Sequence, residues 1–250
     1  MELEEAIETT AQWIVDAKYV VVFTGAGIST ASGLSDFRGP DGVWTRRDKG
    51  LAPLPSKIPR DQMKPNEGHY AIVELENLGK VEFLISQNVD GFHLDSGFPQ
   101  EKLAELHGNT NYMVCLECNW KYRHAEIGWD KRKHGSGYRT SKPRENQPRC
   151  PKCGGRIISS IVNFGDPLPD YDLEQSIKHS RKCDLFIVLG SSLVVTPAAN
   201  MVDYAVQAGA KLVINNKGDT PYDRMADILL PVNINDFFPP VVTKVRELLR

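Results

Sequence analysis

Short apolar runs alternate with stretches of helical spacing along most of this chain. The runs at 19–24, 81–86 and 184–190 are rich in Val, Ile, Leu and Phe, which is typical of strands buried on both faces. Two further runs, 211–215 and 226–231, have the same character. Strands of this kind between helices predict an α/β fold, a Rossmann-like parallel sheet with helices on both faces.

The covering helices are predicted from apolar residues at helical spacing, at 4–17, 68–78, 171–181, 197–208 and 236–249. A shorter helix can open at Ile28–Ser32. Between Arg38 and Asn66 the chain is rich in Pro and Gly and lacks periodicity. This stretch is predicted to be a long loop, and loops of that length usually serve a function or are disordered.

Polar or glycine-rich clusters follow four of the predicted strands. In an open α/β sheet, ligands bind beyond the carboxyl ends of the strands. The sequence therefore predicts a ligand site at one edge of the sheet. The clusters are GAGIS (25–29), QNVDGFH (87–93), GSSLVV (190–195) and INN (214–216).

Gly25 and Gly27 follow the first strand, where glycines let a backbone approach a phosphate. Thr30 replaces the usual third glycine, and no acidic residue ends a second strand at the usual distance, so a plain tight turn remains an equal alternative. Nearby, Arg38 in the segment 35–39 could hold a phosphate in a fork geometry. The local alternative is a surface loop with one packed Phe.

Gln87, Asn88 and Asp90 offer amide and carboxylate groups that could recognise a ribose or a carboxamide. A turn with side-chain hydrogen bonds to the backbone is the alternative. His107 is the best candidate for a general base, because a histidine accepts a proton near neutral pH. A lone histidine is more often structural, and His93 competes for the role.

Four of the five cysteines form two CxxC pairs, 115/118 and 150/153, separated by 31 residues. The two pairs together can bind one Zn²⁺, and four thiolates leave no open coordination position. A structural zinc is therefore predicted in an inserted ribbon module at 114–158. Cys183 begins a buried strand and is assigned to the core. The stretch 131–149 carries seven Lys or Arg and one Glu; it is predicted to be a solvated loop, with a nucleic-acid contact as the weaker alternative.

Composition adds limits to this picture. The chain has 250 residues, 41% hydrophobic and 25% charged, with a formal net charge of −2. That size allows one main domain with a smaller insert, and the overall charge does not indicate nucleic acid. The start of the chain lacks the features of a signal peptide, and no apolar run reaches the ~18 residues that span a bilayer. We expect an intracellular protein, cytoplasmic if prokaryotic, without a membrane partner. Reduced thiols in that compartment disfavour disulfides.

Taken in order, GAGISTASG, DFRGPDGVW, SQNVDGFH, LHGN, the CxxC pairs, FGDPLP, GSSL and the late INN resemble the sirtuins, the NAD-dependent protein lysine deacylases. The likeness runs from about residue 5 to the end. GLAP, SGFPQEKLAELHGN and DRMAD are closest to the chromatin-associated class IV branch. Ser35, Ser191 and Asp166 depart from the usual Pro, Thr and Glu, and the second cysteine pair is tighter than in some class IV members.

The resemblance implies a discontinuous NAD-binding domain (1–113 and 159–250) and a cofactor-covering loop region at 34–66. It implies catalytic roles for His107, Asn88 and Asp90, with Asp90 facing the nicotinamide carboxamide. Cofactor contacts are implied for Gly25, Ala26, Gly27, Ser29, Thr30, Asp36, Phe37, Arg38, Trp44, Gln87, Asn88, Asp90, His107, Gly190, Ser191, Ser192, Asn216, Lys217 and Ile234. Val162, Phe164, Gly165 and Val195 would bracket the acyl-lysine peptide, and Cys115, Cys118, Cys150 and Cys153 would hold zinc.

The implied reaction consumes NAD. The amide oxygen of the acyl-lysine attacks the ribose as nicotinamide leaves, and His107 then takes a proton from a ribose hydroxyl. The products are free lysine, nicotinamide and O-acyl-ADP-ribose. ADP-ribosyl transfer and a non-catalytic NAD-sensing or zinc-bearing module remain alternatives. A chromatin or nucleic-acid-associated partner is a further expectation.

Overall fold

The computed structural model describes residues 1–56 and 58–250. Six strands form a parallel sheet in the order β3-β2-β1-β7-β8-β9. These strands are β1 (Val20–Thr24), β2 (Phe83–Ser86), β3 (Leu103–Glu105), β7 (Leu185–Leu189), β8 (Lys211–Asn215) and β9 (Ile228–Leu230). Every residue of the two central strands β1 and β7 is buried, as their uninterrupted apolar runs predict. The predicted parallel sheet is confirmed.

Helices cover both faces of this sheet. One face packs against α1 (Leu3–Asp16), α3 (Glu67–Asn77) and α8 (Ile234–Leu248), and α8 contacts both of the others. The other face is covered by α6 (Asp170–Ser180) and α7 (Asn200–Gln207). Each side has its own apolar core, with side chains of β1 and β7 alternating between the two. The Rossmann-like arrangement therefore matches the sequence pattern.

A smaller antiparallel sheet lies between β3 and α6 in the chain. Its strands have the order β5-β4-β6, with β4 (Tyr112–Cys115), β5 (Lys121–Arg123) and β6 (Ile157–Ser159). Its own small core includes Met113, Tyr122 and Trp129 beside the cysteines. The short helix α5 (Lys131–His134) lies within the basic stretch. Because the core is so small, we expect this module to need another source of stability.

The stretch predicted as a loop from Arg38 to Asn66 contains helical structure, so that prediction was wrong in part. Helix α2 (Val43–Asp48) and a 3-10 turn at Arg60–Gln62 interrupt it, while residue 57 lies outside the described residues. Six residues are too few to show a helical period in the sequence, since they cover fewer than two turns. The remaining helix, α4 (Phe92–Asp95), is a single turn.

Strand β3 was not anticipated from the apolar pattern, because it has three residues and ends in a glutamate. It pairs in parallel with β2, placing Glu105 opposite Ser86. The 3-10 helix Ala26–Ser32 stands where a helix opening was expected at Ile28–Ser32. Within the described part of the chain, no helix combines the length and apolar character needed to cross a bilayer.

Candidate active site and cysteine cluster

Four strands end side by side at one edge of the parallel sheet. Thr24 at the end of β1 pairs with Ser86 of β2 and Leu189 of β7, and Ser86 pairs with Glu105 of β3. The segments that follow these residues therefore meet at one place. They carry most of the side chains expected in the cofactor site, and we call this place the strand-end edge.

The three glycines of this edge interlock with one another. A Cβ on Gly27 would stand 2.6 Å from the Cα of Gly190, and a Cβ on Gly25 would stand 2.7 Å from the Gly190 carbonyl oxygen. Gly190 has φ +69°, and its own Cβ would meet the Ile28 nitrogen at 2.5 Å. The Gly27 N–H donates to the Gly190 oxygen. In the structure these glycines thus serve close backbone packing between two loops, a role that the phosphate motif alone does not reveal.

Ser29, Asn88 and Asp90 form one hydrogen-bonded group. The Asn88 amide donates to the Gly25 carbonyl oxygen at 3.1 Å and to Ser29 Oγ at 3.3 Å. Ser29 Oγ in turn donates to Asp90 Oδ2 at 2.7 Å, and the other Asp90 oxygen accepts the Phe92 N–H. Burial raises the pKa of Asp90, against the lowering effect of these hydrogen bonds. Asp90 therefore also orders the turn after β2, as the structural alternative expected.

His107 lies at the end of β3 and is partly buried. Its Nδ1 lies 2.9 Å from the Gln87 carbonyl oxygen. A carbonyl only accepts, so Nδ1 carries the hydrogen and Nε2 keeps its lone pair. Burial lowers the pKa of His107, while the Gln87 contact raises it. The result is a neutral imidazole near pH 7, as a general base requires.

Gln87 also joins this strand end to the loop after β7. Ser191 Oγ donates to Gln87 Oε1 at 2.6 Å, and the Ser191 oxygen accepts the Leu193 N–H. Leu193 is buried and has a positive φ of 52°, an uncommon backbone state for a leucine. The loop is thus held in a strained form beside the site.

The expected cofactor-covering segment forms an aromatic cluster with the segment after β6. The Trp44 ring lies 4.7 Å from the Phe37 ring and 5.5 Å from the Phe164 ring, centre to centre, and the Arg38 guanidinium stands 5.0 Å from Trp44. Phe164 is nonetheless 79% exposed. Asp36 points into its own loop, where Oδ1 accepts the Gly39 N–H. Among the described residues no carboxylate pairs with Arg38.

The remaining residues that are expected to contact the cofactor differ in their solvent exposure. Lys217 is exposed, Ser192 and Asn216 are half-buried, and the Asn216 amide donates to the Gly218 carbonyl. Thr30 is exposed and donates to the Gly27 carbonyl. Ile234 is buried in the core at the start of α8, so its side chain faces apolar neighbours.

Two segments expected to bracket a peptide belong to neither sheet. The Val162 N–H donates to the His107 carbonyl at 3.0 Å, which ties the first segment to the histidine. Gly165 has φ +88° with open space at its Cβ position. Val195, in the second segment, is half-buried.

The four cysteines of the two CxxC pairs form one cluster. Their sulfurs all lie within 4.8 Å of one another, with Cys115–Cys153 at 3.5 Å and Cys118–Cys150 at 3.7 Å. Zn–S bonds of about 2.3 Å at tetrahedral angles separate sulfurs by about 3.8 Å. The cluster therefore fits a structural zinc and leaves no position for a substrate. Tyr122 Oη lies 3.1 Å from Cys150 Sγ and can donate to that thiolate.

Comparison with known proteins agrees with this geometry. Residues 52–197 match the model of the Sir2 family. A Bradyrhizobium diazoefficiens protein named NAD-dependent protein deacetylase 1 is 36% identical over 96% of this chain and 97% of its own. The chain belongs to the Sir2 family. The solved structure "Sir2-p53 peptide-NAD+" is 33% identical, with TM-score 0.69, over all of this chain and 98% of its own.

A plant Sir2 relative is longer. The Arabidopsis thaliana protein named NAD-dependent protein deacetylase SRT1 is 39% identical over 91% of this chain, which spans 46% of that relative. Family membership confirms the sirtuin prediction. The class IV assignment, the residue roles and the domain boundaries remain predictions.

Two histidines of this Sir2 protein deserve comparison with His107. His93 is fully enclosed; its Nε2 lies 2.8 Å from Thr24 Oγ1, and burial holds its pKa well below the usual value. It is a structural residue here. His69 was not anticipated: its Nδ1 accepts the Asn66 N–H at the start of α3, and its Nε2 lies 3.4 Å from Ser29 Oγ. Burial lowers the pKa of His69 to about 4.

A second unanticipated group of side chains lies around the turn 105–109, which carries His107. It consists of Glu105, Asn109, Asp172 and Lys121, which come from β3, the turn, α6 and β5. Glu105 and Asn109 lie within the family-like stretch 96–109, but the sequence does not show that Glu105 meets Asp172, which lies 67 residues away.

Proposed function

We propose that this Sir2 protein removes acyl groups from lysines of proteins, consuming NAD. The observation that carries the proposal is the meeting of His107, with a free Nε2, and the Asn88–Ser29–Asp90 group at one edge of a parallel sheet. With one water, acyl-lysine and NAD give free lysine, nicotinamide and O-acyl-ADP-ribose. The names of the relatives support this reaction class.

The strand-end edge offers groups that suit NAD. Gln87 and Ser191 supply an amide and a hydroxyl for ribose oxygens. Arg38, which pairs with no carboxylate among the described residues, supplies a cation for the pyrophosphate. Asn88 and Asp90 line the nicotinamide end, while Ser192, Asn216 and Lys217 serve the adenosine half. Ile234 can contribute only through its backbone. Residues 34–66 cover the cofactor, with Phe37 and Trp44 closing over it.

His107 acts as the general base. Its Nε2 takes the proton of a ribose hydroxyl after nicotinamide has left, and the Gln87 carbonyl keeps Nδ1 protonated and the ring oriented. Asp90 accepts hydrogen bonds from the carboxamide N–H₂ of nicotinamide. Phe164 and Trp44 place an apolar surface beside the acyl chain, and Val162, Gly165 and Val195 bind the peptide backbone by strand addition.

We propose in addition that the zinc module meets an anionic partner, in the form of nucleic acid near the protein substrate. Residues 114–158 hold eleven Lys and Arg against four Asp and Glu, a formal charge of +7; the rest of the chain carries −9, since the whole is −2. Among the described residues only two of the eleven, Lys121 and Arg132, form ion pairs. This charge separation favours a chromatin-associated role, and the class IV likeness agrees with it.

Binding of a 30-bp DNA duplex would test the charged face. Replacing Lys131, Arg132 and Lys133 together by Glu should weaken binding at least ~10-fold and reduce its salt dependence. The matched control replaces three exposed cations of the main domain, Lys178, Arg181 and Lys182, by Glu and should change binding little. Equal effects of the two triple variants, or no binding by the wild type at 50 mM salt, would refute this partner.

Mass spectrometry of the products separates the enzymatic alternatives. Incubating the protein with NAD and an acetyl-lysine peptide should give nicotinamide, free lysine and O-acetyl-ADP-ribose in equal amounts. A covalent ADP-ribosyl adduct on protein would instead indicate an ADP-ribosyltransferase. NAD that binds but is not consumed would indicate a non-catalytic sensor. Repeating the assay with longer acyl chains would define the acyl preference.

A further inference from the structure

Glu105 is a buried carboxyl group that the proposed reaction does not use. It ends β3, two residues before His107, and is 7% exposed. Burying a carboxylate is costly unless hydrogen bonds and charges compensate. The Asn109 amide donates to this side chain, and the charge of Lys121 also favours its ionised form.

The side chain of Glu105 closes the turn that carries His107. Asn109 Nδ2 donates to Glu105 Oε1 at 2.6 Å, and the Gly108 N–H donates to the Glu105 carbonyl at 2.9 Å. Gly108 has φ +77°, which a residue with a side chain rarely adopts. One side-chain and one backbone hydrogen bond therefore fix both ends of the turn 105–109, with His107 at its centre.

The same turn rests on the segment after β6. Ser160 Oγ accepts the Asn109 N–H and donates to the Asn109 carbonyl, at 3.1 and 2.7 Å. A Cβ on Gly108 would overlap the Ser160 carbonyl oxygen. Asn109 thus binds the segment after β6 through its backbone and Glu105 through its side chain.

The Asp172 side chain holds the backbone of Glu105 in place. Its backbone N–H donates to Asp172 Oδ1 of α6 at 3.0 Å, and the other Asp172 oxygen lies 3.6 Å from Lys121 Nζ of the zinc module. Glu105, Asn109, Lys121 and Ser160 also border a small cavity of about 70 Å³. The end of β3 is therefore anchored to the main domain and to the zinc module.

We propose that Glu105 is a positioning residue for acyl transfer, because its hydrogen bond to Asn109 holds the turn that places His107. The inference rests on the proposed role of His107 as the base. Displacement of a reacting group by about 1 Å can cost on the order of 100-fold in rate. Loss of the Glu105 carboxyl should therefore slow the step that needs His107 and spare the earlier release of nicotinamide.

Glu105→Ala is expected to lower deacylation at least ~10-fold, while nicotinamide exchange and ADP-ribose affinity stay within about twofold of wild type. Glu105→Gln keeps an acceptor oxygen for the Asn109 amide and should restore most of the activity. The matched control is Glu76→Ala, which removes a carboxyl that accepts from Lys102 Nζ at 3.0 Å away from this turn. It should leave both rates unchanged.

A double variant separates positioning from general damage. Glu105→Ala should slow deacylation no further when His107→Ala is already present, because the base that it positions is gone. Asn109→Ala should resemble Glu105→Ala, which provides a second test if the first variant folds poorly. Equal losses in exchange and deacylation, or deacylation within twofold of wild type in folded Glu105→Ala, would overturn the inference. If His107→Ala itself retained deacylation, the proposed function would fail instead.

Discussion

The strand-end edge and the cysteine cluster hold polar side chains close together in different ways. At the edge, buried polar groups satisfy one another: Ser29 with Asp90, Gln87 with Ser191, His107 with a carbonyl. In the cluster, four sulfurs all lie within 4.8 Å of one another, beside a core of few residues. The fold alone preorganises the first region, whereas we expect the second to need a metal for its stability. Substitutions should therefore separate chemistry from stability at the edge and combine them in the module.

Removing the metal should give the largest effect. Zinc binding to four thiolates contributes free energy on the order of 10 kcal/mol to the folding of small zinc domains. We expect Cys115→Ser, or treatment with a strong chelator, to unfold the module and abolish activity. Metal analysis should find one zinc per wild-type chain. A metal-free preparation with an unchanged melting temperature would contradict the distinction between the two regions.

Glu105, which ends β3 at the strand-end edge, should make the stability of the protein depend on pH. Burial raises its pKa from 4.5 to about 7, opposed by Asn109 and Lys121 and aided by Asp172 and Asp90. The folded protein therefore holds a proton that the unfolded chain releases between these values, and stability falls as pH rises through that window. The shift corresponds to up to about 3 kcal/mol at 1.4 kcal/mol per pKa unit.

Urea unfolding at pH 5 and pH 8 measures this effect. Wild type should lose more stability between the two values than Glu105→Gln, which cannot titrate. The other titrating groups are common to both proteins and cancel in the comparison. Parallel pH dependences for the two proteins would show that Glu105 keeps an ordinary pKa.

The interlocked glycines should be the next most sensitive point of the edge. A Cβ on Gly27 would stand 2.6 Å from the Gly190 Cα, and backbone atoms cannot move aside cheaply. Gly27→Ala should destabilise the protein by ~1–3 kcal/mol, the usual cost of overpacking. Gly218→Ala, whose Cβ would meet nothing nearer than 3.9 Å, serves as the control. Similar melting temperatures for the two variants would mean that the loops are not rigidly packed.

Asp90→Asn should have the smallest effect on stability. Asparagine keeps an oxygen for the Phe92 N–H, so the turn after β2 survives. The substitution should nevertheless impair nicotinamide cleavage and nicotinamide inhibition, while ADP-ribose binds almost as tightly as to wild type. A parallel fall in ADP-ribose affinity and melting temperature would assign Asp90 to the fold alone.

The sequence predicts the sheet and the clustering of the four cysteines well because their signals are local. β1 is a run of five buried residues, and the CxxC spacing is itself a metal-binding pattern. It does not reveal β3, which is too short to show a pattern, or His69, whose partner Ser29 lies 40 residues away. The glycine motif is visible, but the packing of Gly27 against Gly190 depends on a loop 163 residues later. Contacts between residues that are far apart in the chain produce no periodic pattern in the sequence.

Comparing His107→Ala with His124→Ala tests most directly whether His107 is the base of the strand-end edge. His124 is a matched control, because its Nδ1 also lies near a carbonyl, that of Asn111, and burial lowers its pKa too. We expect His107→Ala to lose at least ~100-fold in deacylation. It should keep NAD binding, nicotinamide exchange and melting temperature, and His124→Ala should keep all four. The acid limb of the wild-type rate profile should lie below pH 6.5, because the pKa of His107 is lowered. Deacylation by His107→Ala near the wild-type rate, or an equal loss in both variants, would contradict the account.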